Sequence, residues 1–222
     1  MSNFVKTILQ INASKEKVEE ILNFVKSENS EFDFNKIIPM PEELNIENGG
    51  RTEIGLEYYE LLRKREKCSG FFAADCKNAI EAIESKEDFE QIKDFGKKAL
   101  LNLINYGYTT WFTWCINYWG TKWNASEIEI KDNMISFETA WVCPTNILIA
   151  LSKKFSTTKF SFKCASEDIG VNSFLGTISD GIITKSPDTP KTENEKKKFA
   201  IELWELQDRY ELVDGEYREK ED

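Results

Sequence analysis

The chain of 222 residues contains no histidine. This absence excludes serine–histidine–aspartate and cysteine–histidine catalysis, and it removes the side chain that most often serves as a general base near neutral pH. Metal sites that depend on imidazole ligands are excluded as well. Any enzyme of this composition would have to work with carboxylates, lysine, tyrosine or cysteine.

Metal-binding and phosphate-binding motifs are also missing. The five cysteines are Cys68, Cys76, Cys115, Cys143 and Cys164. They form no CxxC pair, so the sequence predicts neither a zinc site nor an iron–sulfur cluster, and we expect buried, reduced thiols. The segment Asn48-Gly49-Gly50 indicates a turn and is too short for a phosphate loop. We predict no metal and no cofactor.

Long apolar runs and a surplus of positive charge are absent. No run reaches the ~20 residues that a membrane span requires, and the N-terminus does not resemble a secretion signal. We therefore expect a cytoplasmic protein without a membrane segment. The net charge is -10, and half of it falls in residues 192–222. Because binding to a phosphate backbone needs a basic surface, direct binding to nucleic acid is disfavoured.

Aromatic residues, in contrast, are concentrated in residues 106–126. The tryptophans of this stretch are Trp111, Trp114, Trp119 and Trp123. Helical spacing predicts a helix that Gly120 ends. We interpret the stretch as a structural staple, in which Asn124 bonds the local backbone and Lys122 lies across a ring. The competing hypothesis is an exposed aromatic hot spot for a partner.

The order of predicted elements indicates an α+β protein with a ferredoxin-like antiparallel sheet and both helices on one face. A strand at 3–11 precedes a helix capped by Ser14, a hairpin at 127–141, a helix starting at Pro144 and a further strand. We expect one domain over residues 1–222, with a helical insertion at about 50–106. Residues 32–41, broken by two prolines, are predicted to be extended. The acidic region at 192–222 is predicted to hold a last helix, over 192–213.

Several segments resemble the YubB ferredoxin-like (Api92-like) family of phages, plasmids and integrative elements. The resemblance is carried by FNKIIPMP at 34–41, by NYWGTKWNA at 117–125 with Tyr118 as an additional residue, and by FETAW at 137–141 before Pro144. It covers about residues 1–180. It implies the ferredoxin-like fold and an accessory gene of a mobile element, and it implies no particular activity.

These features favour a non-enzymatic protein that binds a host protein. Dense acidic charge could imitate a phosphate backbone and inhibit a host defence nuclease of the CRISPR or restriction type. The candidate acidic surface comprises Glu202, Glu205, Asp208, Glu211 and Asp214.

Two alternatives stay open. One is RNA or single-stranded nucleic-acid binding through aromatic residues on or near strands, namely Phe160, Phe162 and Trp141. Core packing is the other explanation for these rings. The second alternative is a carboxylate-dependent enzyme that uses residues such as Glu127, Glu138, Glu167 and Asp168.

Overall fold

The computed structural model describes residues 3–67 and 71–220, so the prediction for Cys68 lies outside the described residues. The chain divides into two compact units. One unit comprises Met1–Pro39 and Cys115–Asp222, and the other comprises Met40–Trp114. Within the described ranges, no helix combines the length and apolar character needed to cross a membrane.

A six-stranded antiparallel sheet forms the centre of the first unit. Its strands are β1 (Phe4–Asn12), β2 (Ser126–Lys131), β3 (Met134–Ala140), β4 (Lys159–Ser166), β5 (Phe174–Ser179) and β6 (Ile182–Lys185). They lie in the order β2-β3-β1-β4-β5-β6. The first four strands have the order of a split βαβ fold, which confirms the predicted ferredoxin-like architecture. The other two strands extend the sheet beyond β4.

The helices fall into both units. They are α1 (Lys15–Val25), α2 (Phe34–Ile37), α3 (Gly50–Arg65), α4 (Phe71–Glu84), α5 (Phe89–Tyr106), α6 (Trp111–Tyr118), α7 (Thr145–Lys154) and α8 (Glu193–Leu203). The predicted cap is confirmed at α1, where Ser14 accepts a hydrogen bond from the backbone of Lys17. The prediction of an extended segment at 32–41 is wrong for α2, because Asp33 caps this one-turn helix through the amide of Asn35.

Alternation along β1 separates the two faces of the sheet. Val5, Leu9 and Ile11 are buried, whereas Gln10 on the opposite face is exposed. In the register, Thr7 lies opposite Phe137, which therefore points to the buried face. The rings of Phe32 and Phe34 pack against Phe137, with ring centroids 4.8 Å and 6.2 Å away.

Helices α1 and α7 contact each other on this buried side. The rings of Phe24 in α1 and Phe155 after α7 meet edge to face at 5.5 Å. Inward residues of α7, including Ile147 and Leu151, are fully buried as the sequence pattern predicts. The arrangement of helices on one face is therefore confirmed for α1 and α7.

Helix α8 covers part of the other face. Ala165, Ala200 and Leu203 form a small buried cluster with Ile8 beside it. The indole Nε1 of Trp204 donates a hydrogen bond to the backbone oxygen of Ala165 at 3.1 Å. The sheet thus has one face covered by α1 and α7 and one face that α8 covers in part.

The C-terminal prediction is correct only at its start. Helix α8 begins after Thr192, which forms a capping box with Glu195, but it ends at Leu203 rather than near residue 213. The chain then forms a hairpin of β7 (Tyr210–Val213) and β8 (Glu216–Glu219). Asp214 and Gly215 join these strands with positive φ values of 53° and 82°. Two consecutive positive φ values suit a type I′ turn, for which Asp-Gly is a preferred pair.

Three helices, α3, α4 and α5, occupy the residues predicted as a helical insertion. Gly55 of α3 and Gly96 of α5 lie at a close crossing, where a Cβ on Gly55 would stand 2.2 Å from the carbonyl oxygen of Ile92. A buried cluster of Tyr58, Ile80, Ile83 and Ile92 holds this unit together. The crossing therefore requires glycine at a helical position where alanine would otherwise be favoured.

Candidate functional site

Gly120 ends α6 and begins the loop that follows, as the sequence predicts. Gly120 has a φ of +79°, in the left-handed region. The amides of Trp119 and Gly120 both donate to the carbonyl oxygen of Cys115, at 2.8 Å and 3.2 Å. Both bonds go to the same carbonyl group, and the left-handed Gly120 then turns the chain out of the helix.

Trp119 is buried and anchors the loop. Only 3% of its surface is exposed, and its indole Nε1 donates to the backbone oxygen of Ile38 at 2.9 Å. Its ring meets the ring of Phe34 edge to face at 5.7 Å. A buried indole with a satisfied N–H is typical of a structural residue.

Asn124 joins the loop to the start of α2. Its side-chain oxygen accepts from the amide of Phe34 at 2.9 Å, and its side-chain nitrogen donates to Asp33 at 2.7 Å. Burial raises the pKa of the Asp33 carboxyl, but the hydrogen bonds from Asn124, Asn35 and Ser27 outweigh it and leave that pKa below its usual value. Asn124 therefore bonds a distant segment in addition to its own loop.

Lys122 and Trp123 lie nearer the surface. The Lys122 ammonium lies 4.5 Å from the centroid of the Trp123 ring and 5.3 Å from that of Trp141. The preceding residue, Thr121, is buried and donates its hydroxyl to the backbone oxygen of Ala140 at 2.7 Å. The cation–π contacts connect the loop to the residues that follow β3.

Trp141 is the most unusual residue of this region. It follows the last residue of β3 with a φ of 71°, in the left-handed region that bulky side chains rarely occupy. Its side chain is 39% exposed, and that of the next residue, Val142, is 42% exposed. Its backbone is held on both sides, since its amide donates to Asn3 and its carbonyl oxygen accepts from Asn172. We call Lys122, Trp123, Trp141 and Val142 the Trp141 patch.

An apolar groove of about 390 Å3 adjoins this patch. Its walls include Val142, Cys143, Phe162, Cys164, Phe174 and Ile183. The rings of Phe162 and Phe174 stack at 5.4 Å and form one wall. We call this cavity the Cys143 groove. A concave, mostly apolar surface with a few polar groups is the usual form of a binding site.

The carboxylates considered for catalysis are partly brought together. Burial raises the pKa of Glu138, and the nearby carboxylates of Glu127 and Glu167 raise it further, while Lys6 opposes them. The side chain of Glu167 also accepts from the amide of Phe4 at 2.8 Å, and Asp168 accepts from Asn3. Among the described residues no group of three or more carboxylates and thiols is placed to hold a metal ion.

The aromatic residues considered for base stacking differ in position. Phe160 and Phe162 are 1% and 2% exposed, so they belong to the core. Trp141 is exposed but follows the strand rather than lying on the sheet surface. The sheet therefore does not present the predicted set of three rings to a ligand.

The proposed acidic residues do not share a helix face, which corrects the sequence prediction. Glu202 is in α8 and Glu205 follows it with a φ of 58°, while the other three lie in or beside the C-terminal hairpin. The correction follows from the end of α8 at Leu203. Two ion pairs, Arg209 with Glu219 at 2.7 Å and Arg218 with Glu216 at 3.8 Å, also offset part of the negative charge there.

A family model described as a ferredoxin-like domain in Api92-like protein matches residues 118–209. Residues 118–209 are therefore similar to the ferredoxin-like domain of Api92-like proteins. A crystal structure of the protein Api92 from Yersinia pseudotuberculosis is similar at 12% identity and a TM-score of 0.42, over 86% of this chain and 100% of that chain. No curated protein matches the chain.

The Api92-like match begins at the end of α6 and extends past α8. It therefore includes the loop that follows α6, the Trp141 patch and the Cys143 groove. The central strand β1 and the unit at 40–114 lie outside it. Sequence reasoning found Lys122 and Trp123 but did not single out Val142 or the groove. A signal was present, since Trp-Val-Cys-Pro directly follows an alternating strand.

Proposed function

We propose that this Api92-like chain is a protein-binding protein without catalytic activity, encoded by a phage or another mobile element. Its place of action would be the cytoplasm of a bacterial host. One observation carries the proposal: an exposed tryptophan, Trp141, is held in a strained backbone conformation beside an apolar groove. Strained residues cluster at functional sites, and exposed tryptophans are enriched among binding hot spots.

The shape of the surface favours a partner that inserts a side chain. The Cys143 groove has room for an apolar side chain, because its volume is about 390 Å3. The Trp141 patch would then cover the rim of that contact. Its Lys122 ammonium would contribute a polar edge, as protein interfaces combine an apolar centre with a polar rim.

A basic host protein is the class of partner that the charge favours. The net charge of -10 would accelerate encounter with a basic surface, and the nucleic-acid channel of a defence nuclease is such a surface. Mimicry by a single acidic helix is not part of this proposal, since α8 ends at Leu203. The acidic residues would steer the encounter, and the patch and groove would supply the specific contact.

The alternatives have less support from the same geometry. Phe160 and Phe162 are buried, so a base-stacking sheet surface would lack these two rings. Of the carboxylates considered for catalysis, Glu167 and Asp168 accept hydrogen bonds from the N-terminal strand region. These bonds give the two side chains a structural role.

Affinity capture from a bacterial lysate tests the proposal. Wild type and Leu212→Ala should retain the same host protein, because Leu212 is exposed on the C-terminal hairpin, away from the patch in sequence. Trp141→Ala should lose it. Equal retention by all three proteins would contradict the role of the patch. Retention of RNA at physiological salt, with no protein partner, would favour the nucleic-acid alternative.

A further inference from the structure

Two cysteines from different parts of the chain meet at the base of the Cys143 groove. Cys164 lies in β4, where the register places it opposite Thr7 of β1. Cys143 lies between β3 and α7, near enough to Cys164 and to the Thr7 hydroxyl for both side chains to affect its thiol. Both cysteines are free thiols. The Thr7 hydroxyl is buried and has no hydrogen-bond partner of good geometry in the described part of the chain.

The groove gives a small reagent access to this pair. Both thiols line the cavity of about 390 Å3. Cys143 is partly exposed, whereas Cys164 is 3% exposed. Because Cys143 is the more exposed residue of the pair, we expect a reagent in the groove to react with Cys143 first.

We propose that Cys143 and Cys164 form a reversible intramolecular disulfide when a small disulfide such as oxidised glutathione enters the groove. The Cys143 thiolate attacks one sulfur of the small disulfide, forms a mixed disulfide and releases one small thiolate. The Cys164 thiolate then attacks the Cys143 sulfur and displaces the second small thiolate. The two protein thiols lose two electrons and two protons, and the small disulfide gains them to become two thiols.

The same surroundings explain why the pair stays reduced in the absence of such a reagent. The hydrogen bond to Cys164 raises the pKa of Cys143, and burial raises it further. Since the thiolate is the nucleophile, the first step is slow at neutral pH and faster in alkaline solution. The second step is intramolecular between two thiols that line the same cavity, so it proceeds at high effective concentration.

The disulfide would change the surface around it. It would join the loop that carries Trp141 and Val142 to strand β4, and it would draw together two walls of the groove. An effect on partner binding rests on the proposed function above. The formation of the bond itself does not.

Peptide mapping tests the disulfide without any partner. The folded full-length protein is treated with oxidised glutathione at about pH 8.5, free thiols are then blocked, and the protein is digested with trypsin. Cleavage after lysine places Cys143 in the peptide 132–153 and Cys164 in the peptide 164–185. We expect these two peptides to be linked in the wild type and separated again by dithiothreitol.

Variants assign the order of the steps. Cys164→Ser should give no linked peptide and should retain glutathione on Cys143, while the control Cys76→Ser should give the same linked peptide as the wild type. The proposal is overturned if the folded wild type gives no linked peptide, if the bond joins other cysteines, or if the link appears only in denaturant. Because the readout is covalent, its failure would leave the protein-binding proposal untouched, and the converse also holds.

Discussion

Asn124 donates its side-chain amide to the Asp33 carboxylate at 2.7 Å, across 91 positions of the sequence. Its side-chain oxygen also accepts from the amide of Phe34. Asn124→Ala removes both bonds, which leaves the amide of the buried residue Phe34 without this acceptor and takes one donor from the partly buried Asp33, at a cost of about 1–3 kcal/mol. Chemical denaturation should show this loss, whereas Asn146→Ala, which removes an exposed hydrogen bond to Asn117, should cost less.

The effect of Asn124→Ala should depend on pH. The pKa of Asp33 is lowered in the folded protein, so its contribution to stability is present above the unfolded-state pKa and is lost as pH falls through the folded value. The destabilisation should therefore be larger at about pH 7 than at about pH 2.5. An equal loss at both values would show that the Asp33 charge does not take part.

Trp119 and Trp123 should differ in their contribution to stability. Trp119 is 3% exposed and its N–H is satisfied, so Trp119→Ala should cost about 3–5 kcal/mol. Trp123 is half-buried and contacts Lys122 and Phe4, so Trp123→Ala should cost less. Thermal unfolding compares the two variants, and an unchanged midpoint for Trp119→Ala would refute the structural role.

The glycine crossing of α3 and α5 should not tolerate alanine. A Cβ on Gly96 would stand 2.4 Å from the backbone of Gly55, and backbone atoms cannot move aside as a flexible side chain does. We expect Gly96→Ala to destabilise the protein by about 1–3 kcal/mol despite the higher helix propensity of alanine. Gly107→Asn is the control, because Gly107 has open space around it and a left-handed φ that asparagine accepts. Loss of helical circular dichroism on heating measures both.

Glu138 should oppose folding more strongly as pH rises. Burial raises its pKa in the folded state, so the stability that it contributes is present below the unfolded-state pKa and is lost as pH increases through the folded value. Glu138→Gln removes this loss. The melting temperature of the variant relative to the wild type should rise between about pH 4 and pH 7, and Glu129→Gln serves as the matched control on the neighbouring strand. A constant difference across this range would contradict the assignment.

The sheet could be predicted from the sequence because its strands alternate clearly. Residues 127–141 form the expected hairpin around Asp132 and Asn133, and Phe160 and Phe162 face the core as core packing requires. The predicted C-terminal helix is longer than α8 because apolar residues keep a helical spacing beyond its end at Leu203. These residues are Phe199, Leu203, Leu206 and Tyr210. The Asp214-Gly215 pair was the stronger signal, since it favours a hairpin turn.

The candidate site was harder to predict for two physical reasons. The alternation of apolar and polar residues in β3 continues to Trp141, although the backbone is left-handed at that residue. The alternation alone cannot predict this change of backbone conformation. Cys143 and Cys164 are brought together only by the pairing of β4 with β1 and by the return of the chain after β3. Their separation in the sequence therefore gave no indication of contact.

Affinity for the captured host protein is the most direct test of the central claim, that the Trp141 patch binds a protein partner. Titration by calorimetry should give a Kd at least about tenfold weaker for Trp141→Ala than for the wild type, as expected for a hot-spot tryptophan. The Leu212→Ala control should bind as the wild type does, and all three should unfold at similar temperatures. An unchanged Kd for a folded Trp141→Ala protein would contradict the account.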